Sequence, residues 1–170
     1  MDEVARAAGV SRQGLYLIFS DKEELFRRAV AFKLTRQLSA AVAALSVEPA
    51  GLADRLIAAC DEWAGRYVGT LGADAADLMC ASTSLAGAIL GRYEDQFEKA
   101  LAYAIAASPL KAYCAGFGVT PQDAANALHA TARGLKQYSK SRQEFVHGIT
   151  VAARLFCAPL ETPLRHTESV

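Results

Sequence analysis

The 170-residue sequence has no surplus of charge of either sign, 18 basic residues balancing 18 acidic ones. Wholesale electrostatic binding to a polyanion is thereby disfavoured, because it needs a large excess of lysine and arginine. There is no run of about 18 apolar residues, the length that spans a bilayer. The N-terminus lacks a basic flank followed by an apolar stretch. Membrane insertion and secretion are therefore not indicated, and the cytoplasm is the expected location. Cysteine is sparse: Cys60, Cys80, Cys114 and Cys157 lie far apart, form no C-x-x-C pair and have no histidine at metal-ligand spacing. Neither a metal nor a cofactor is expected. The thiols read most simply as buried and free, with a redox or electrophile sensor as the sharper alternative. His129, His147 and His166 have no carboxylate or nucleophile at a spacing that implies catalysis, and no phosphate-binding loop is present. An enzyme is not expected. Strand-like alternation, internal repeats and low-complexity tracts are also missing, which leaves an all-α fold.

What is present begins at the first residue. In Met1 to Ala8, Val4, Ala5 and Ala8 recur at helical spacing, and Asp2 and Glu3 lie in the first turn, where the helix dipole favours negative charge. Gly9 can take the left-handed conformation that ends a helix, and Ser11 is a good N-cap for a second one. From Ser11 to Phe19, Leu15 and Phe19 share one face, leaving Arg12, Gln13, Gly14 and Tyr16 towards the exposed N-terminal end. Those residue types suit a DNA major groove: Arg bonds guanine bidentately, Gln bonds adenine, and Gly14 lets the backbone come close. Ser20 and Glu23 read as an S-x-x-E capping box opening a third helix, with Lys22 at its positive end, suited to phosphate. Two short helices and a turn also occur in ordinary helical bundles, so the pattern alone leaves both readings open.

The combined string closely resembles the DNA-binding region of the tetracycline-repressor (TetR) family of bacterial regulators. The resemblance rests on Glu3-Val4-Ala5, Ala8-Gly9-Val10-Ser11, Leu15-Tyr16-Leu17-Ile18-Phe19 and Asp21-Lys22-Glu23-Glu24-Leu25. It covers about the first quarter of the chain. It implies that Arg12, Gln13 and Gly14, led by the Ser11 cap, touch base edges, and that Tyr16 and Lys22 hold phosphates. Ile18 departs from the pattern, since the family often places His or Tyr there. The family's head also has a helix before MDEVARAA, which this sequence does not contain. The expectation is a start inside the head, whose missing helix would expose Val4, Leu15 and Phe19. The alternative is a TetR-like small-molecule-binding or interaction protein that has lost DNA binding with that helix.

The rest of the chain, 52% hydrophobic as a whole, is ample for a helical body. The third helix should run from Lys22 to Leu45 and link residues 1–45, the helix-turn-helix head, to a body over 46–170. Further helices are expected over Leu52 to Val68, Asp74 to Ala81, Ile89 to Ala107, Leu110 to Phe117, Thr120 to Tyr138 and Ser141 to about Cys157, where Pro159 should stop the last one. Through Leu45, seven basic residues face five acidic ones, a slight positive excess suited to docking through a few phosphates. The resemblance implies that the body binds a small-molecule effector. Candidates for the pocket are Trp63, Tyr67, Met79, Tyr93, Phe97, Tyr103 and Tyr113, although aromatics at helical spacing equally form ordinary core. Leu128, Ala132 and Leu135, and Phe145, Ile149 and Phe156, form apolar stripes on the last two helices. Periodicity leaves open whether they pack within one subunit. The resemblance implies that they form a homodimer, which would read a palindromic double-stranded operator with two recognition helices about 34 to 36 Å apart.

Overall fold

The computed structural model describes residues 1–69 and 75–161, with 75–86 and 161 by backbone path alone. Every regular element among the described residues is helical. The helices are α1 (Asp2–Ala7), α2 (Arg12–Ile18), α3 (Lys22–Leu45), α4 (Leu52–Trp63), α5 (Ala75–Ala106), α6 (Leu110–Ala115), α7 (Pro121–Tyr138) and α8 (Arg142–Glu161), with a 3-10 turn at Gly65–Tyr67.

Capping chemistry sets most of the helix ends. Gly9, at φ 67°, closes α1: its N–H bonds the Arg6 carbonyl at 3.2 Å and the Val10 N–H bonds that of Ala5 at 3.0 Å. That paired pattern satisfies two carbonyls the helix would otherwise leave open. At α7, Thr120 and Asp123 form a reciprocal capping box, with Pro121 in the first turn. The box at α3 is displaced from the expected Ser20 and Glu23. Asp21 is the last extended residue, its side chain accepts the Glu24 N–H at 2.7 Å, and the Glu24 carboxylate accepts the Ser20 N–H at 2.7 Å. At α8 the Ser141 hydroxyl accepts the Glu144 N–H, and the Glu144 carboxylate accepts the Lys140 N–H rather than that of Ser141.

Helix α6 ends at Ala115, two residues short of the expected Phe117, and three elements differ from expectation by more. The helix begun at Leu52 stops at Trp63, because Ala64 leaves helical geometry and the chain turns tightly through Gly65–Tyr67. The two helices expected within 74–107 are one, Ala75–Ala106; no proline interrupts the ladder, and Gly87 and Gly91 lower propensity without breaking it. Helix α8 runs through Pro159 to Glu161. The ring's fixed φ is compatible with a helix, and the missing N–H costs one bond in the final turns.

In the body, α3 packs on α4 and α5, α5 on α7, and α8 on both α4 and α7. Leu56, Phe97, Leu101, Leu128, Phe145 and Ile149 are fully buried where these helices meet, each contributing about 1.5 to 3 kcal/mol by leaving water. This burial corrects one expectation. Leu128, Ala132, Phe145 and Ile149, expected at a dimer interface, are core residues of a single chain, because α7 and α8 turn those stripes inward against α4 and α5. Leu135 and Phe156 are half-buried.

The tightest junction lies where the 3-10 turn crosses α8. A methyl group on Gly65 would sit 2.7 Å from the Phe145 ring and 2.2 Å from an Asp61 oxygen that Arg142 already holds. Gly65→Ala should therefore destabilise the protein by about 1 to 3 kcal/mol in urea unfolding, since neither neighbour can move freely. Gly134→Ala, at a helical position with nothing within 4 Å, should be neutral or stabilising by up to about 1 kcal/mol. Equal effects at the two glycines would contradict the packing described.

Candidate nucleic-acid interface

Helices α1 and α2 pack on each other at the N-terminal end, with Ala5 and Leu15 buried between them. The Ser11 hydroxyl accepts the Gly14 N–H at 2.9 Å and starts α2, so Ser11 acts locally as a cap. Gly14 is half-buried beneath it, while Arg12, Gln13 and Tyr16 are exposed on the same end of α2. The Arg12 guanidinium lies 3.2 Å from Asp2 and over the Tyr16 ring at 5.7 Å. Tyr16, and after it Asp2, hold that guanidinium above its ordinary pKa. Arg12 is thus parked along the helix surface, in an exposed pair of the kind that rearranges readily. Lys22 is exposed at the first position of α3 and makes no ion pair among the described residues, whereas Arg27 and Arg28 are tied to Glu23 and Glu24 one turn earlier. Leu17 is 83% exposed and Ile18 is exposed beside it. Of the three residues expected to lie bare, Leu15 is buried, Phe19 is half-buried under the Arg28 guanidinium, and Val4 is exposed.

Residues 1–29 match the family described as bacterial regulatory proteins, tetR family. The N-terminal segment is similar to that family. The match spans α1, α2 and the first turns of α3, so the helix-turn-helix geometry and the family assignment fall on the same residues. No curated protein and no solved structure matches the chain. In the matched segment, Arg12, Gln13 and Tyr16 are exposed polar side chains on α2.

Behind the head, the aromatic residues expected around one effector pocket do not converge. Trp63 and Phe97 are buried and stacked at 4.9 Å, which makes them core. Tyr93 is half-buried and its hydroxyl lies 2.7 Å from that of Thr35. Tyr103 is exposed, and Tyr113 stands in an apolar surface groove beside Phe117. Only Tyr67 of the described candidates lines a cleft between α3 and the 3-10 turn. The side chain of Met79 lies outside the described residues, as do that of Cys80 and all of His166.

One cluster was not anticipated. His129 is buried, its Nδ1 is 2.7 Å from Glu98 Oε1, and Trp63 Nε1–H donates to its Nε2 at 3.3 Å. This bonding assigns the ring proton to Nδ1, which donates to the carboxylate. The histidines have no carboxylate at a spacing along the chain that implies a site, yet the fold gives His129 one. Glu98 and His129 sit 31 positions apart on α5 and α7, so spacing along the chain held no sign of the pair. Cys60, Cys114 and Cys157 are buried and form no disulfide among the described residues, and burial pushes the Cys60 thiol up to about 12, which disfavours a reactive sensor there.

The cap that starts α3 makes the head sensitive to acid. Bonds from Ser20, reinforced by Arg28, hold the Glu24 carboxyl at about 2, against an ordinary 4.5. A depressed folded-state pKa stabilises above the unfolded value and is lost as pH falls through the folded one. The stability difference between the native protein and Glu24→Gln should therefore be constant above about pH 5 and shrink between 4.5 and 2, as followed by urea unfolding across that range. A difference that grows on acidification would contradict this geometry.

Proposed function

We propose that this protein is a TetR-like transcriptional regulator that binds a palindromic operator as a homodimer and is released from it by a small-molecule effector. The observation that carries the reading is the coincidence of the tetR-family match over residues 1–29 with an exposed second helix presenting Arg12, Gln13 and Tyr16. Residues 1–45 act as the head with its connecting helix, and 46–170 as the effector-binding and dimerising body. Arg12 leaves Asp2 to reach a base edge, Gln13 reads beside it, Gly14 permits close approach, and Tyr16 and Lys22 hold phosphates. The Ser11 hydroxyl serves by fixing the start of the reading helix.

Dimerisation uses the outer faces of the last two helices, because their inner faces are spent on the core. On α8, Leu155 is 72% exposed and Val151 is exposed one turn before it, near Phe117. Release by an effector requires that it prefer the head spacing that does not fit DNA; equal affinity for both states would shift nothing.

Titration of the full protein against DNA fragments from around its own gene, at low and moderate salt, tests the assignment. Arg12→Ala should weaken specific binding roughly ten- to a hundredfold and relax preference at one base pair, while Lys22→Ala should weaken all sequences alike and reduce the salt slope by about one. A uniform loss from Arg12→Ala would sink its assigned role, and an absence of specific binding would favour a ligand-binding or interaction protein. Leu155→Lys should convert dimer to monomer in sedimentation analysis with the melting temperature of the subunit retained; a native protein that is monomeric at tens of micromolar would overturn the dimer.

A further inference from the structure

The cleft between α3 and the 3-10 turn carries more information than its aromatic residue. It is open, encloses about 370 Å³, and is walled by Phe32, Lys33 and Arg36 on α3 and by Glu62, Arg66 and Tyr67 opposite. Gln37, buried at its floor, donates its side-chain amide to the Trp63 carbonyl, so both walls are anchored to the core. The acids near this cleft are already neutralised: Glu62 is paired with Arg66 at 2.5 Å, and Asp61 with Arg142 by two bonds. The cations on α3 are not. Among the described residues Lys33 and Arg36 make no ion pair; Lys33 Nζ rests over the Tyr67 ring at 4.3 Å, and the Arg36 guanidinium lies 5.9 Å from the Phe32 ring. Burial, and after it the charge of Lys33, lower the pKa of a third cation, Lys136 of α7. Glu94 acts on Lys136 in the opposite sense and is itself 3.8 Å from Arg133.

We propose that this cleft is a binding site for a small aromatic carboxylate. Its anionic end would sit between Lys33 and Arg36, and its ring would lie against Phe32 and Tyr67. The charge follows from two cations facing the cleft with their potential uncompensated, and a guanidinium is well shaped to bond a carboxylate through two N–H groups. The ring follows from the two aromatic side chains on opposite walls, which offer faces to a flat apolar ligand. A cationic ligand does not fit, since both nearby acids are already held by arginines. The position also has a consequence. The cleft's α3 wall belongs to the same continuous helix, Lys22–Leu45, that begins with Lys22 in the head. A ligand wedged there bears directly on the connecting helix. That coupling rests on the regulator reading; the binding does not.

The test uses benzoate as the probe, with benzamide as its neutral counterpart and inorganic phosphate as an anion without a ring. Each is titrated into the full protein and followed by the backbone amide NMR shifts of residues 30–40 and 62–68. Benzoate should saturate these shifts in the millimolar range or below, and benzamide and phosphate should bind at least tenfold more weakly. The double variant Lys33→Gln, Arg36→Gln should lose benzoate at least tenfold while its thermal unfolding remains that of the native protein. The single variant Lys33→Gln provides a milder check if the double variant folds poorly. Equal binding of benzoate and benzamide would overturn the anion, equal binding of phosphate would overturn the aromatic ring, and no saturation, or shifts confined to another surface, would overturn the site. Adding benzoate to the DNA complex separates the two claims: binding with release supports the coupling, and binding without release overturns the coupling but leaves the site intact.

Discussion

The fold depends on the junction built around Trp63. Its ring stacks on Phe97 of α5, its Nε1–H reaches His129 of α7, and its backbone carbonyl accepts the buried Gln37 amide of α3. One residue at the end of α4 thereby ties together three other helices. Two positions further on, Gly65 brings the chain against Phe145 of α8. The polar atoms matter because they are buried: an indole N–H or an imidazole without a partner there would cost about 1 to 3 kcal/mol. Glu98 completes the chain of bonds and lets a histidine sit in the core without an open valence. Such networks specify one arrangement of the helices, where apolar contacts alone would accept several.

Helix α3 is the mechanical link. Its last half contributes Leu34, Ala41 and Leu45 to the core, while its first turn is capped by Asp21 and Glu24 at the head. At 24 residues it extends about 36 Å, so a small change of angle where it meets the body becomes a larger displacement at its N-terminal end. The head and body are thus not separable at Leu45 in any physical sense; the same helix belongs to both. This gives the cleft beside Lys33 and Arg36 its interest, since it lies where the helix passes from one role to the other.

Local chemistry was the legible part. Gly9, Ser11, Thr120 with Pro121, and Ser141 announce helix ends because their effects act within four residues, and the structure has those ends. The displaced box at Asp21 shows the limit: Ser20 and Asp21 are both good caps, and the choice between them depends on which residue the incoming chain leaves extended. The joined α5 shows another, since propensity suggested a pause that the backbone does not take. The exposed end of α2 was readable because Leu15 and Phe19, four apart, mark its inner face, while Arg12, Gln13 and Tyr16 lie near its N-terminal end. What Trp63, Phe97 and Tyr67 do was not, because aromatic residues at helical spacing look alike whether they fill a core or line a cleft.

By itself, then, the amino-acid sequence determined an all-α fold, the starts of most of its helices, and a short N-terminal helix-turn-helix whose second helix leaves Arg12, Gln13 and Tyr16 exposed, all of which follow from interactions between near neighbours. Only the tertiary structure decided that Leu128, Ala132, Phe145 and Ile149 serve the subunit's own core, that His129 meets Glu98, and that Lys33 and Arg36 face a cleft whose acid, Glu62, is already paired with Arg66. The reason is physical. Burial and pairing depend on which helix faces lie opposite each other, and partners 31 or 66 residues apart leave no period in the chain that joins them.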